Sequence, residues 1–127
     1  MILINDFYSI KETQKIDGGV NFAVRLNADH FIYAAHFPEN PITPGVCITQ
    51  MVKELTEETV QTPLSLKVAK NIKFTQIINP LLYPEVTFAL SIQQDDDKNG
   101  YKVNATVAKD NIIFTKLSLQ FIVKRNG

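Results

Sequence analysis

The chain has 127 residues, enough for one ordinary domain that can bury its own core without metals or disulfides. Thirteen lysines and arginines balance thirteen aspartates and glutamates, and no basic block breaks the balance, so the charge footprint of a nucleic-acid binder is missing. Cys47 is the sole cysteine, which excludes an intrachain disulfide scaffold and leaves a cysteine-based zinc site without ligands.

The opening segment, Met1–Asp6, has no basic residue, and its apolar run is too short for a signal peptide. No stretch has the length of a membrane span. The expectation is a soluble cytoplasmic protein, with residues 1–127 forming a single domain free of repeats and linkers.

Val20, Phe22, Val24 and Leu26 alternate with Asn21, Ala23, Arg25 and Asn27, the period of a half-buried strand and one of a strand or two ahead of a helix. From Pro44 to about Val60 the residues Ile48, Met51, Val52, Leu55 and Thr59 fall at helical spacing. Thr43 suits an N-cap, Pro44 the first helical position, and Pro63 prevents a long continuation. A strand is expected over Leu66–Ile78, with Val68, Ile72 and Phe74 as its apolar positions and Asn79-Pro80 and Pro84 ending it. Val86, Phe88, Leu90 and Ile92 alternate again until Asp95–Gly100 supplies turn chemistry. Tyr101, Val103, Ala105 and Val107 lead to a second turn at Lys109-Asp110-Asn111. Ile113, Thr115, Leu117, Leu119, Phe121 and Val123 then give the last strand face. Short turns between successive strands mean antiparallel pairing, and one helix can cover one face of a sheet that curls around it. The predicted class is α+β.

The segment His36-Phe37-Pro38-Glu39-Asn40-Pro41-Ile42-Thr43-Pro44-Gly45-Val46 carries the chemistry. Its three prolines fix much of the backbone between His36 and the helix. An imidazole is thus held a few residues from a helix N-terminus, whose unpaired N–H groups and positive dipole end favour developing negative charge. A base beside such donors is what removal of a proton α to a carbonyl requires. Gly45 has no side chain to keep a carbonyl from its N–H. Against this stands a plainer reading, in which His36 is a satisfied loop residue and the Thr43 hydroxyl caps the Gly45 or Val46 N–H.

The run His36-Phe37-Pro38-x-Asn40-Pro41-x-x-Pro44-Gly45-Val46 resembles the signature of the 3-hydroxyacyl-[acyl carrier protein] dehydratases, HFPGNPxxPGV, without a gap. Weaker similarity extends through Asp29-His30-Phe31 upstream and Lys70–Phe74, Asn79-Pro80 and Pro84 downstream. The resemblance implies a hot-dog fold: a curved antiparallel sheet wrapped around one central helix, paired into a homodimer with a continuous sheet. It also implies a 3-hydroxyacyl thioester substrate, linked to acyl carrier protein or coenzyme A and dehydrated to the trans-2-enoyl thioester in fatty-acid or related acyl-chain synthesis. His36 would match the histidine that takes the C2 proton, and Gly45 the glycine whose N–H polarises the thioester carbonyl. Phe37, Pro44 and Val46 would line the substrate site, and the acyl chain would run in a tunnel between apolar helix and strand faces. No metal or organic cofactor is implied.

Two positions depart from the family. Glu39 replaces a motif glycine. Gln50 stands six residues after Pro44, where the family has a Glu or Asp donated from the partner subunit to assist departure of the hydroxyl. An amide has no titrating proton, and loss of a general acid or base costs about 100- to 10,000-fold in rate. Three readings follow: Gln50 orients the hydroxyl while His36 performs both proton transfers; a different chain supplies the carboxylate to a binding or partner-dependent subunit; or another acid serves, with Glu54 one helical turn away. A hot-dog thioesterase is the alternative enzyme class. His30 reads as a surface or turn residue, Cys47 as a small core residue, and Glu54-Glu57-Glu58 as a solvated helix end. Lys67, Lys70 and Lys73 read as a strand surface that would suit an acidic carrier protein.

Overall fold

A computed structural model describes residues 1–35 and 38–125. Among them six strands and two helices follow in the order β1 (Tyr8–Ile16), β2 (Gly19–Leu26), α1 (Phe31–Ala35), α2 (Gly45–Val60), β3 (Leu64–Phe74), β4 (Glu85–Gln94), β5 (Gly100–Lys109) and β6 (Ile112–Val123). All six strands join one antiparallel sheet in the order β1-β2-β4-β5-β6-β3. After β2 the chain leaves the sheet, passes through both helices, and re-enters at the far edge as β3. It then returns to set β4 beside β2. The expected α+β architecture is therefore present, with one long helix laid against a sheet.

Period-two alternation puts Val20, Phe22, Val24 and Leu26 of β2, and Val86, Phe88 and Leu90 of β4, on the buried face. Val103, Ala105 and Val107 of β5 and Leu117, Leu119 and Phe121 of β6 extend that face. Ile48, Met51, Val52 and Leu55 of α2 are buried in the same core, as their helical spacing predicts. Thr59 is only partly buried; it donates its hydroxyl to the Leu55 carbonyl at 3.0 Å. The helix stops at Gln61, whose left-handed backbone (φ 56°) turns its N–H back to the Glu57 carbonyl just before Pro63.

Two strands depart from the sequence expectation. β3 ends at Phe74 rather than Ile78, because it is an edge strand broken by irregularities at Leu66/Val68 and Lys70/Lys73, with Asn71 at φ 52°. Ile78 is buried in the loop that follows, where its carbonyl accepts the Thr43 N–H. In β6 the core residue is Phe114, not Ile113, which is 41% exposed. Val107 pairs with Thr115 and Ala108 with Ile113, so Phe114 is the extra residue of a bulge and swings inward against Tyr83. Its carbonyl accepts from Thr75 and Gln76 and so anchors the chain leaving β3. β1, little of it buried, pairs with β2 through an Asp17-Gly18 turn in which Gly18 takes φ 74°.

Candidate active site

The segment that enters α2 is pinned from two sides. Thr43 is buried, donates its hydroxyl to the Ile78 carbonyl at 3.0 Å, and lies 2.9 Å from the Tyr33 hydroxyl, which donates in turn. The proposed cap is thereby corrected. Pro44 (φ −64°, ψ 145°) is the N-cap, the helix begins at Gly45, and no side chain caps it. Thr43 instead ties this segment to α1 and to the loop after β3. His36 and Phe37 lie outside the described residues.

With the Thr43 hydroxyl engaged elsewhere, no described residue accepts from the N–H groups of Gly45 or Val46, whereas those of Cys47 and Ile48 both reach the Pro44 carbonyl. Two adjacent main-chain donors therefore remain at the positive end of a helix of 16 residues. Pro44 and Gly45 are partly buried, and Val46 is exposed. The Phe74 ring, at the end of β3, sits over Gly45: a Cβ there would lie 2.7 Å from Phe74 Cζ. Sequence periodicity marked Phe74 as an apolar strand position but gave no sign that it would roof the helix start.

Gln50 lies five residues on from Gly45, about 7.5 Å along the helix axis and about 140° around it. Its Nε2 donates to the Met1 carbonyl at 2.8 Å and to Glu54 Oε2 at 2.9 Å. Glu54 is not solvated, as its place among three glutamates suggested. It is buried, and its carboxylate accepts from the Leu3 N–H at 2.7 Å, the Ile4 N–H at 2.8 Å and the Tyr8 hydroxyl at 3.0 Å as well as from Gln50. Burial first, and the Glu54 charge second, hold the Tyr8 phenol far above its ordinary range. The helix wheel carried a signal for this: Glu54 lies seven residues after Cys47, beside the apolar face rather than opposite it. Glu57 is also engaged, accepting the Leu64 N–H at 2.7 Å, and of the three only Glu58 is exposed.

His30 proves to be buried rather than a surface residue. Its Nδ1 accepts the Ile32 N–H at 3.1 Å, which leaves Nε2 to donate to Asp6 Oδ2, also at 3.1 Å. Both ring nitrogens are thus occupied in fastening α1 to the N-terminal segment, and the ring packs edge-on against Phe7. Cys47 is the small buried core residue expected, and burial pushes its thiol up. Lys67, Lys70 and Lys73 are exposed on β3. Among the described residues no helix is long and apolar enough to cross a membrane, and no three His, Cys, Asp or Glu side chains gather to hold a metal.

No protein of curated function matches the sequence. Solved structures do share the fold. A protein from Erwinia carotovora subsp. atroseptica is 21% identical, with 90% of each chain covered and a TM-score of 0.56. The dehydratase heterocomplex ApeI:P from Xenorhabdus doucetiae is 16% identical, covering 89% of this chain and 96% of its own at a TM-score of 0.65. A hypothetical thioesterase with coenzyme A from Streptococcus pneumoniae is 8% identical, covering 92% and 85% at a TM-score of 0.62. These likenesses establish the hot-dog fold. A family model described as ApeI dehydratase matches residues 11–116, and the chain belongs to this ApeI-like dehydratase family.

Proposed function

We propose that this protein removes water from a 3-hydroxyacyl thioester, carried on acyl carrier protein or coenzyme A, to give the trans-2-enoyl thioester. Family membership supports the reaction class, and the observation that carries the site is the pair of N–H groups at Gly45 and Val46 from which no described residue accepts. A thioester carbonyl placed there would meet two main-chain donors where enolate charge develops. Pro44 and Val46 border that position, and Phe37 precedes it in the chain. His36 takes the C2 proton and returns it to the departing hydroxyl oxygen, while Gln50 orients that hydroxyl. The scheme calls on no metal or organic cofactor.

The site is read as shared between two copies of a single-domain, cytoplasmic protein. β3 supports this: it is a sheet edge carrying Leu66, Ile72 and Phe74 at 45%, 37% and 56% exposure, an apolar strand ready to pair with a second chain. A partner of different sequence is the second reading. Gln50 stands where a carboxylate is expected, and the relative from Xenorhabdus doucetiae is described as a heterocomplex. Thioester hydrolysis is a third outcome, suggested by neighbours described as thioesterases.

One assay separates these readings. The purified protein is incubated with a 3-hydroxyacyl thioester, enoyl product and free thiol are followed together, and particle mass is measured on the same preparation. Enoyl product from a homodimer, abolished by His36→Ala, is the expected result. Free thiol without enoyl product would replace dehydration by hydrolysis. Activity within about tenfold of the original after His36→Ala would overturn the assignment of the base.

A further inference from the structure

The orientation of the Gln50 amide is dictated by its neighbours. A primary amide has two N–H groups, and here both are engaged, one with the Met1 carbonyl and one with Glu54 Oε2. A carbonyl accepts only. The Glu54 carboxylate faces donors alone: the Leu3 and Ile4 amides, the Tyr8 hydroxyl and Gln50 itself. Turning the Gln50 amide by 180° would set its oxygen against two other oxygens, so the assignment of nitrogen and oxygen is chemical and not arbitrary. Gln50 Oε1 is consequently directed away from the clamp, and no described residue donates to it.

We propose that Glu54 is a positioning residue which, with the Met1 carbonyl, fixes Gln50 as a hydrogen-bond acceptor and makes the site selective for a substrate that donates an O–H at C3. The inference rests on the dehydratase reading and deepens it. The 3-hydroxyl donates a hydrogen bond to Gln50 Oε1, keeps its hydrogen, and leaves its oxygen lone pairs free to take up a proton. His36 takes the C2 proton, the C2–H electron pair forms the C2=C3 bond, and the C3–O bond breaks with its pair on oxygen. The imidazolium then protonates that oxygen. The departing water holds the original hydroxyl hydrogen and the former C2 proton, and the imidazole ends neutral.

The same clamp accounts for glutamine at this position. A carboxylate at residue 50 would place an oxygen within 2.9 Å of Glu54 Oε2 and within 2.8 Å of the Met1 carbonyl, with no hydrogen between them. Two carboxyl groups at that separation cannot both stay ionised, so a glutamate at position 50 would have to take up a proton, whereas an amide donates to Glu54 without one. The chain keeps Glu54 and carries an amide at 50.

The test begins with the unsubstituted protein. The side-chain NH2 signals of Gln50, identified by their loss in Gln50→Leu, are followed in deuterated solvent beside those of the exposed Gln93 and Gln94. Slowing of at least about tenfold is expected. Exchange at the rate of Gln93 overturns the clamp. Binding of a 3-hydroxyacyl and a 3-methoxyacyl thioester is then compared in the His36→Ala protein, whose expected loss of turnover leaves binding alone to be read. The hydroxyl form is expected to bind at least about tenfold more tightly, since the ether leaves the acceptor unpaired. Adding Glu54→Gln should bring the ratio towards one. Where that variant loses its fold, Tyr8→Phe, which keeps three of the four donors to Glu54, should lower the ratio by a smaller factor. Equal affinity with Gln50 protected overturns the selectivity. Binding of neither thioester overturns the dehydratase reading and the substrate role together, and the exchange result alone then says whether the clamp exists.

Discussion

Replacing Gly45 by alanine sets packing against chemistry at one atom. The new Cβ would stand 2.7 Å from Phe74 Cζ and 3.2 Å from Cε1 and Cε2. Ordinary carbon contacts lie at about 3.5–4.0 Å, so ring or helix must yield by about 1 Å. The Phe74 side chain is half exposed at the end of an edge strand, so the ring can swing outward. Alanine is also the better helix residue, by up to about 1 kcal/mol. The two effects oppose each other, and the melting temperature should change by less than about 4 °C. Activity should respond more strongly. A shift of about 1 Å in a group that meets the reacting carbonyl costs about 100-fold, approaching the 100- to 1000-fold typical of losing one such donor outright. We expect kcat/KM for a 3-hydroxyacyl thioester to fall about 100-fold in Gly45→Ala, and Phe74→Leu in the same chain to recover at least about tenfold of it. Steady-state kinetics and thermal unfolding on the same samples provide the check. Activity within about threefold of the original would show that the carbonyl does not approach this amide. A loss that Phe74→Leu leaves untouched would acquit the ring.

Two further outcomes test the fold around the site. Phe114→Ala should cost about 3–5 kcal/mol in denaturant unfolding because the bulge buries that ring completely, while Ile113→Ala beside it should cost less than about 1 kcal/mol; the opposite ranking would reject the bulge. Burial raises the Cys47 thiol, so in the folded protein at pH 8 it should stay protonated and resist iodoacetamide, reacting fully only after unfolding, as read by mass spectrometry. A raised acid also favours the unfolded state as pH climbs, so this residue should subtract stability above about pH 8.5, the range in which the free thiol ionises. Rapid alkylation of the native protein would show that the helix face is not closed.

How much of this was legible depends on how local each cause is. Alternation over Val20–Leu26, Val86–Ile92 and Tyr101–Val107, with turns at Asp95–Gly100 and Lys109–Asn111, needs only neighbouring residues, and each of these strands and turns is present. The helix over residues 45–60 was equally plain, because spacing and flanking prolines act within a turn or two. β1 was faint, since an edge strand with few buried residues leaves little alternation to read. Ile113 was set on the core face for a related reason: a single extra residue shifts the alternation of a strand, and only the partner strand reveals it.

The sequence by itself determined the class of fold, the position of the long helix and the motif that sets Pro44, Gly45 and Val46 at its start, because backbone stiffness and periodicity are written residue by residue. Only the tertiary structure decided what the polar side chains do. Thr43 could have capped the helix and holds Ile78 instead, leaving the Gly45 and Val46 amides without an acceptor among the described residues. Glu54 could have faced water and instead gathers Leu3, Ile4, Tyr8 and Gln50. A hydrogen bond between residues some fifty positions apart leaves no period in the sequence, so its partners are chosen where the chain folds back on itself.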